Sequence, residues 1–154
     1  METPEYKTVG IVGAGAMGRG IAQIAAQAGS TVLLFDTQSA AIEQARAAIA
    51  AQWDRMVEKG KLPADAAAGH KARLLPAATL AELKGCDLVV EAIVERLDVK
   101  KSLFAELEGI VGEQAVLATN TSSLSVTAIA ADLQRPQRFA GYHFFNPVPL
   151  MKVV

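Results

Sequence analysis

The sequence has few of the features that mark metal, nucleic-acid or membrane proteins. Its single cysteine, Cys86, has no second cysteine with which to form a disulfide or a zinc site. The 15 lysine and arginine residues are balanced by 16 aspartate and glutamate residues, so no basic excess exists to bind nucleic acid or an anionic membrane surface. No apolar run approaches the roughly 20 residues that a membrane-spanning helix needs, and the polar segment Met1–Lys7 does not resemble a signal peptide. We therefore expect a soluble, cytoplasmic protein with no metal ion, nucleic acid or membrane as its partner.

The sequence does contain enough apolar material for a folded domain. Hydrophobic residues make up 51% of the 154 residues and charged residues 20%, which excludes a disordered chain. A chain of this length buries roughly 70% of its unfolded surface and needs no disulfide or metal to fold. One domain over residues 1–154 is the natural expectation.

Short apolar runs alternate along the chain with segments of helical periodicity. The runs predict strands at Thr8–Val12, Thr31–Phe35, Leu74–Pro76, Asp87–Glu91, Ala115–Thr119, Phe139–Tyr142 and Met151–Val154. Helices are predicted at Ala16–Ala28 with Gly29 at the C-cap, from an N-cap at Ser39 to a stop at Lys59–Lys61, and at Pro63–Arg73, Val94–Leu107 and Ser125–Ala131. Such alternation is typical of parallel βαβ units, so the predicted fold is α/β, a doubly wound and mostly parallel sheet with helices on both faces.

A glycine-rich turn joins the first predicted strand to the first predicted helix. Its G-x-G-x-x-G pattern consists of Gly13, Gly15 and Gly18, with Ala16 and Met17 opening the helix. In a Rossmann-type fold the first glycine allows the tight turn, the second lets the backbone approach a pyrophosphate, and the third lets the helix pack on the strand. The N–H groups of the helix start would then bind the phosphates. The alternative is a glycine-rich turn that binds nothing.

An acidic residue follows the second strand where this fingerprint expects one. Asp36 comes 18 residues after Gly18, and such an acid accepts hydrogen bonds from the adenosine ribose hydroxyls. It would repel a 2′-phosphate, and the next residues, 37–39, include no arginine to offset that repulsion. The sequence thus favours NAD over NADP, with a solvated strand end as the alternative role of Asp36.

Three segments carry a resemblance to a known family. They are Glu91-Ala92-Ile93-Val94-Glu95, Thr119-Asn120-Thr121-Ser122-Ser123-Leu124 and His143-Phe144-Phe145-Asn146-Pro147-Val148-Pro149. In this order and spacing the chain closely resembles the L-3-hydroxyacyl-CoA dehydrogenases of fatty-acid β-oxidation over nearly all of its length. Bacterial members include 3-hydroxybutyryl-CoA dehydrogenases and the 3-hydroxyadipyl-CoA dehydrogenases of phenylacetate breakdown, and the sequence looks slightly more like the latter.

The resemblance implies an NAD-dependent oxidation of a 3-hydroxyacyl-CoA, with catalytic roles for His143 and Ser122. His143 matches the general base, a role that suits imidazole because it titrates near neutral pH. Ser122 matches a serine that binds the substrate and the cofactor, and Asn146 matches a residue at the nicotinamide end. Without the resemblance, His143 would be a core histidine, Ser122 a helix or turn cap, and Asn146 a turn residue.

The resemblance also assigns ligand contacts to charged residues. Glu95 and Lys100 match positions that contact NAD, and an exposed pair of helix residues is the alternative. Lys59 matches a lysine that meets the CoA moiety, with Arg55 and Lys61 nearby. Its alternative is a solvated helix end that complements the helix dipole.

Three other residues receive expectations from the sequence itself. Glu91 ends its strand at the carboxyl edge of the sheet, where it could serve a ligand or be structural. His70 is expected on the surface. Cys86 is expected to be an inert small residue before a strand.

The last residues, Met151–Val154, form an apolar run without a polar tail, which predicts an excised domain of a longer protein. In the family a helical domain follows, completes the active site and forms the dimer. We therefore expect residues 1–154 alone to be inactive and the full-length protein to be a homodimer with an acyl-CoA substrate. Two other functions stay open, namely a non-catalytic module that senses NAD or CoA, and a related 3-hydroxy acid dehydrogenase that does not use CoA esters.

Overall fold

Strands and helices alternate from Thr8 onward in the computed structural model, which describes residues 6–93, 96–120 and 123–141. The strands are β1 (Thr8–Val12), β2 (Thr31–Phe35), β3 (Leu74–Pro76), β4 (Leu88–Glu91), β5 (Val116–Thr119) and β6 (Phe139–Gly141). The α-helices are α1 (Ala16–Gln27), α2 (Ser39–Glu58), α3 (Ala64–Arg73), α4 (Leu97–Ile110) and α5 (Ser123–Ala130), and short 3₁₀ helices span Leu80–Gly85 and Pro136–Arg138. Among the described residues, no helix combines the length and apolar character that a membrane crossing requires.

The six strands form one sheet in the order β3-β2-β1-β4-β5-β6, and every pair is parallel. The register aligns Val12 with Phe35 on one side and with Glu91 on the other. The chain runs outward from β1 to β3 and then returns to place β4 beside β1. This reversal confirms the doubly wound α/β fold, and it creates the edge crevice in which such folds bind ligands.

The core lies on both faces of the sheet because successive strand residues point in opposite directions. Ile11 and Val90 join one buried cluster with Trp53 of α2, whereas Val89 joins a second cluster with Phe104 of α4. Helices therefore cover both faces, as predicted. Apolar residues at three- and four-residue steps form one face of α2, where Ile42, Ala45, Ile49 and Trp53 are buried and Met56 and Val57 pack against them.

The start of α2 differs from the sequence-based expectation. Ser39 is the first residue of the helix and not its N-cap, and Gln38 occupies the cap position without a side-chain hydrogen bond. The cause lies in the preceding loop, where the Asp36 carboxylate accepts the N–H of Gln38 at 2.9 Å. The predicted stop is confirmed, because Gly60 has a φ of +73° directly after the C-cap residue, Lys59.

The largest boundary error concerns α4, which was predicted at Val94–Leu107 and spans Leu97–Ile110. The apolar face continues through Leu107 to the buried Val111, so the helix extends by a further turn. The α5 helix likewise begins at Ser123, two residues before the prediction. The predicted strand at Met151–Val154 and the end of the sixth strand at Tyr142 lie outside the described residues.

Candidate functional site

The tight turn after β1 requires a glycine at its first position. Gly13 has a φ of +113°, a conformation that other residues rarely adopt. A Cβ atom there would lie 2.5 Å from the carbonyl oxygen of Ala92, in the loop after β4. The Gly13 N–H donates to the carbonyl of Phe35 at 2.8 Å, so the turn is fixed between the ends of β2 and β4.

The other two glycines face opposite environments. A Cβ atom on Gly18 would lie 1.7 Å from the carbonyl oxygen of Gly13, which shows how closely α1 packs on the turn. A Cβ atom on Gly15 would meet nothing within 4 Å, because this residue opens toward solvent. Gly15 precedes Ala16, the first residue of α1, and the first N–H groups of a helix have no partners within it. The turn and packing roles expected of Gly13 and Gly18 are thus found, and open space for a phosphate lies at Gly15 and Ala16.

Asp36 is tied to the glycine turn through its side chain. One carboxylate oxygen accepts the N–H of Ala14 at 2.9 Å, and the other accepts the N–H of Gln38 at 2.9 Å. A carboxylate has about four lone-pair positions, so these two bonds leave capacity for ribose hydroxyls. Asp36 therefore lies where the fingerprint expects a ribose acceptor, and its position is fixed by the backbone on both sides.

A cleft of about 420 Å³ runs between the glycine turn and the ends of β2 and β4. Its lining residues are Val12, Gly13, Gly15, Phe35, Asp36, Thr37, Gln38, Ala92, Ile93 and Val99. The wall formed by Ala92, Ile93 and Val99 is apolar and suits a flat purine ring. Gly15, the N-cap residue of α1, and the Asp36 carboxylate line the cleft, and no cation is among its described lining residues. The cleft therefore fits an adenine dinucleotide without a 2′-phosphate.

A second cleft, of about 310 Å³, lies between α1 and the end of α2. It is lined by Gln23, Gln27, Gln52, Arg55, Met56, Lys59 and Lys61. Three cations and several amides surround it, a composition that favours an anionic ligand. Lys59, singled out in the sequence for contact with CoA, lies in this lining.

The chain matches the family "3-hydroxyacyl-CoA dehydrogenase, NAD binding domain" over residues 8–154. It belongs to this family. Its cofactor is accordingly NAD, in agreement with the Asp36 position and the composition of the cleft.

Individual relatives of this NAD-binding domain agree with the assignment. The chain is 47% identical over 148 residues to a 3-hydroxyadipyl-CoA dehydrogenase of Escherichia coli, covering 96% of this chain and 31% of that protein. It is 43% identical to a 3-hydroxybutyryl-CoA dehydrogenase of Bradyrhizobium diazoefficiens, covering 96% of this chain and 50% of that protein. The crystal structure of an Escherichia coli 3-hydroxybutyryl-CoA dehydrogenase superposes with a TM-score of 0.93 at 46% identity, covering 97% of this chain and 32% of that one. The chain thus spans about a third to a half of the length of these relatives.

Four of the residues assigned by resemblance cannot be placed. Ser122, His143, Asn146 and Glu95 lie outside the described residues, so their roles stay predictions. Lys100 is described, and its ammonium is not on an exposed helix face. It is 1% exposed and lies 3.0 Å from the carboxylate of Glu91. The ion pair could not be read from the sequence, because it joins a strand end to a helix nine residues later.

His70 is buried, contrary to the expectation of a surface residue. Its ring packs on Trp53 with centroids 5.3 Å apart, and its Nδ1 lies 2.7 Å from a guanidinium nitrogen of Arg73. Desolvation, followed by the positive charge of Arg73, lowers the pKa of His70 from its usual value of 6.5. No local sequence pattern indicates this burial, because the contact with Trp53 joins α3 to α2.

Cys86 lies in the second core cluster, as its sequence context suggested. Burial, followed by the negative charge of Asp87, raises the pKa of its thiol to about 12. A thiol with this pKa is not a nucleophile near neutral pH.

Proposed function

We propose that the protein containing this chain oxidises the 3-hydroxyl group of an L-3-hydroxyacyl-CoA to the ketone, with hydride transfer to NAD. The observation that carries the proposal is the cleft that Gly13, Gly15 and Asp36 line together, with Gly15 at the N-cap of α1. Membership of the dehydrogenase family supports it. When NAD is bound, its nicotinamide ring would accept the hydride.

The residues of the chain would bind the cofactor and the substrate and accept the hydroxyl proton. The N–H groups at the start of α1 would bind the pyrophosphate, and Asp36 the adenosine ribose. In the sequence-based assignment His143 accepts the hydroxyl proton, Ser122 binds the reacting oxygen, and Asn146 holds the nicotinamide end. General-base catalysis of this kind contributes about 10²- to 10⁴-fold to a rate.

The second cleft, between α1 and the end of α2, supports a CoA ester as the substrate. Arg55, Lys59 and Lys61 line it together, and CoA carries several phosphates that such cations would bind. A 3-hydroxy acid dehydrogenase that does not use CoA esters is the competing function, because a diketoreductase that acts on dicarbonyl compounds superposes with a TM-score of 0.80 at 26% identity. Non-catalytic sensing of NAD or CoA has no observation of its own in its favour. We further propose, from the resemblance alone, that the full-length protein is a homodimer.

The two substrate classes can be separated in the full-length protein. We expect NADH-dependent reduction of acetoacetyl-CoA to be far faster than that of acetoacetate, measured as the loss of NADH absorbance. Lys59→Ala should raise the KM for acetoacetyl-CoA several-fold and leave the KM for NADH unchanged. Lys84→Ala, at an exposed lysine of the first 3₁₀ helix, is the matched control and should change neither constant. Equal rates with the two substrates would support the competing function, and binding without any turnover would support a sensor.

A further inference from the structure

A charged cluster shielded from solvent lies at the carboxyl edge of the sheet, beside the cofactor cleft. Glu91 ends β4 and is 0% exposed, and its Oε2 lies 3.0 Å from Nζ of Lys100, in the first turn of α4. Thr119, buried at the end of β5 and paired in register with Glu91, donates its hydroxyl to Oε1. Oε2 also accepts the backbone N–H of Ile93 at 2.7 Å.

This arrangement is poorly explained by stability alone. The free-energy cost of removing two opposite charges from water often exceeds the gain from their attraction. Replacing such a buried ion pair by apolar residues of the same volume often leaves the fold equally stable or more stable. The cluster instead connects three elements through one carboxylate. It joins the end of β4, the end of β5 and the start of α4, along with the first residues of the loop between β4 and α4.

The elements joined by Glu91 form the apolar wall of the cofactor cleft. Ala92 and Ile93 follow Glu91 directly, and Val99 precedes Lys100 in α4. This wall lies close to the glycine turn, since a Cβ atom on Gly13 would be 3.3 Å from Cγ2 of Ile93. A shift of Ala92 and Ile93 would therefore change the width of the cleft.

We propose that Glu91 is a positioning residue of the cofactor site. Its carboxylate fixes Ile93, just after β4, and Lys100 in the first turn of α4. It so holds the apolar wall at the distance from the glycine turn that accommodates the adenosine half of NAD. Glu91 acts through Ile93 and Lys100 and need not touch the cofactor. This inference rests on the cofactor-binding role given above.

The test is the affinity for NADH in Glu91→Gln, which keeps the length of the side chain and removes its charge. We expect the dissociation constant for NADH, measured by the fluorescence of the bound cofactor, to rise about tenfold. With the full-length protein and saturating acetoacetyl-CoA, the KM for NADH should rise by the same factor while kcat stays within twofold. A role confined to folding would lower the melting temperature and leave this KM unchanged.

Glu108→Gln is the matched control. Like Glu91, Glu108 accepts backbone N–H groups with its carboxylate, from Gln134 at 2.9 Å and Arg135 at 2.6 Å, but at the opposite end of α4. The substitution Glu108→Gln should lower the melting temperature and leave the affinity for NADH unchanged. If Glu91→Gln does not fold, Thr119→Val removes one hydroxyl at nearly constant volume and should weaken NADH binding about threefold.

Two results would overturn the proposal. One is an affinity within twofold of the wild type in Glu91→Gln, or in Thr119→Val where only that variant folds. The other is an equal loss of affinity in Glu108→Gln at a similar melting temperature. Failure of the wild type to bind NADH at all would instead overturn the cofactor-binding role itself.

Discussion

His70 is buried between an aromatic ring and a cation. In the folded chain it contacts Trp53 and accepts a hydrogen bond from Arg73, a donor that cannot give up its proton. Its Nδ1 is therefore the acceptor, and the neutral ring carries its proton on Nε2. Burial and Arg73 together lower the pKa of this ring in the folded state.

This residue should make stability fall as the solution becomes acidic. Above pH 6.5, the usual pKa of histidine, the ring is neutral in both states and does not affect the pH dependence. As the pH falls from 6.5 through the lowered pKa of the folded state, the unfolded chain binds the proton first, so the free energy of unfolding decreases. In His70→Gln this component should be absent, and urea denaturation at pH 5 and 7.5 measures it. The advantage of the wild type over the variant should shrink at pH 5, and a constant or growing advantage would contradict the lowered pKa.

At the scale of elements, two glycines where the turn after β1 meets α1 are under different constraints. A methyl group on Gly18 would overlap the carbonyl oxygen of Gly13, whereas a methyl group on Gly15 would point into open space. Gly18 therefore allows α1 to pack on the turn, and Gly15 leaves room for a ligand.

Substituting alanine at each glycine should separate these constraints. Gly18→Ala should destabilise the fold by about 3 kcal/mol or more, because the clash is with backbone atoms that cannot rotate away. Gly15→Ala should cost at most about 1 kcal/mol, the usual loss at a helix N-cap, yet weaken NADH binding because the methyl group occupies space for the pyrophosphate. Urea denaturation and NADH titration of the same preparations measure the two effects. A stable Gly18→Ala, or a Gly15→Ala with unchanged NADH affinity, would show that these roles are misassigned.

At the scale of the whole molecule, the sequence predicted those parts that depend on local pattern. The strands β1, β2 and β3 have the bounds that the sequence predicted, because each is a short apolar run with a clear end. The glycine turn and Asp36 were recognisable because a phosphate-binding turn constrains residues near in sequence.

What the sequence could not show depends on contacts between distant elements. The burial of His70 requires Trp53 from another helix, and the burial of Lys100 requires Glu91 from the preceding strand. Periodicity reports which face of an element is apolar, but it does not say which polar residue of that element will find a buried partner. For this reason the strands and the cofactor turn were predictable, whereas the charged cluster beside the cleft was not.

The preference of the cleft beside Asp36 for NAD over NADP is measured by isothermal titration calorimetry with NADH and with NADPH. We expect NADH to bind more tightly, because the Asp36 carboxylate accepts ribose hydroxyls and repels a 2′-phosphate. Asp36→Ala should weaken NADH binding by about 1–3 kcal/mol and narrow the difference between the two cofactors. NADPH binding to the wild type as tightly as NADH, or more tightly, would contradict the account.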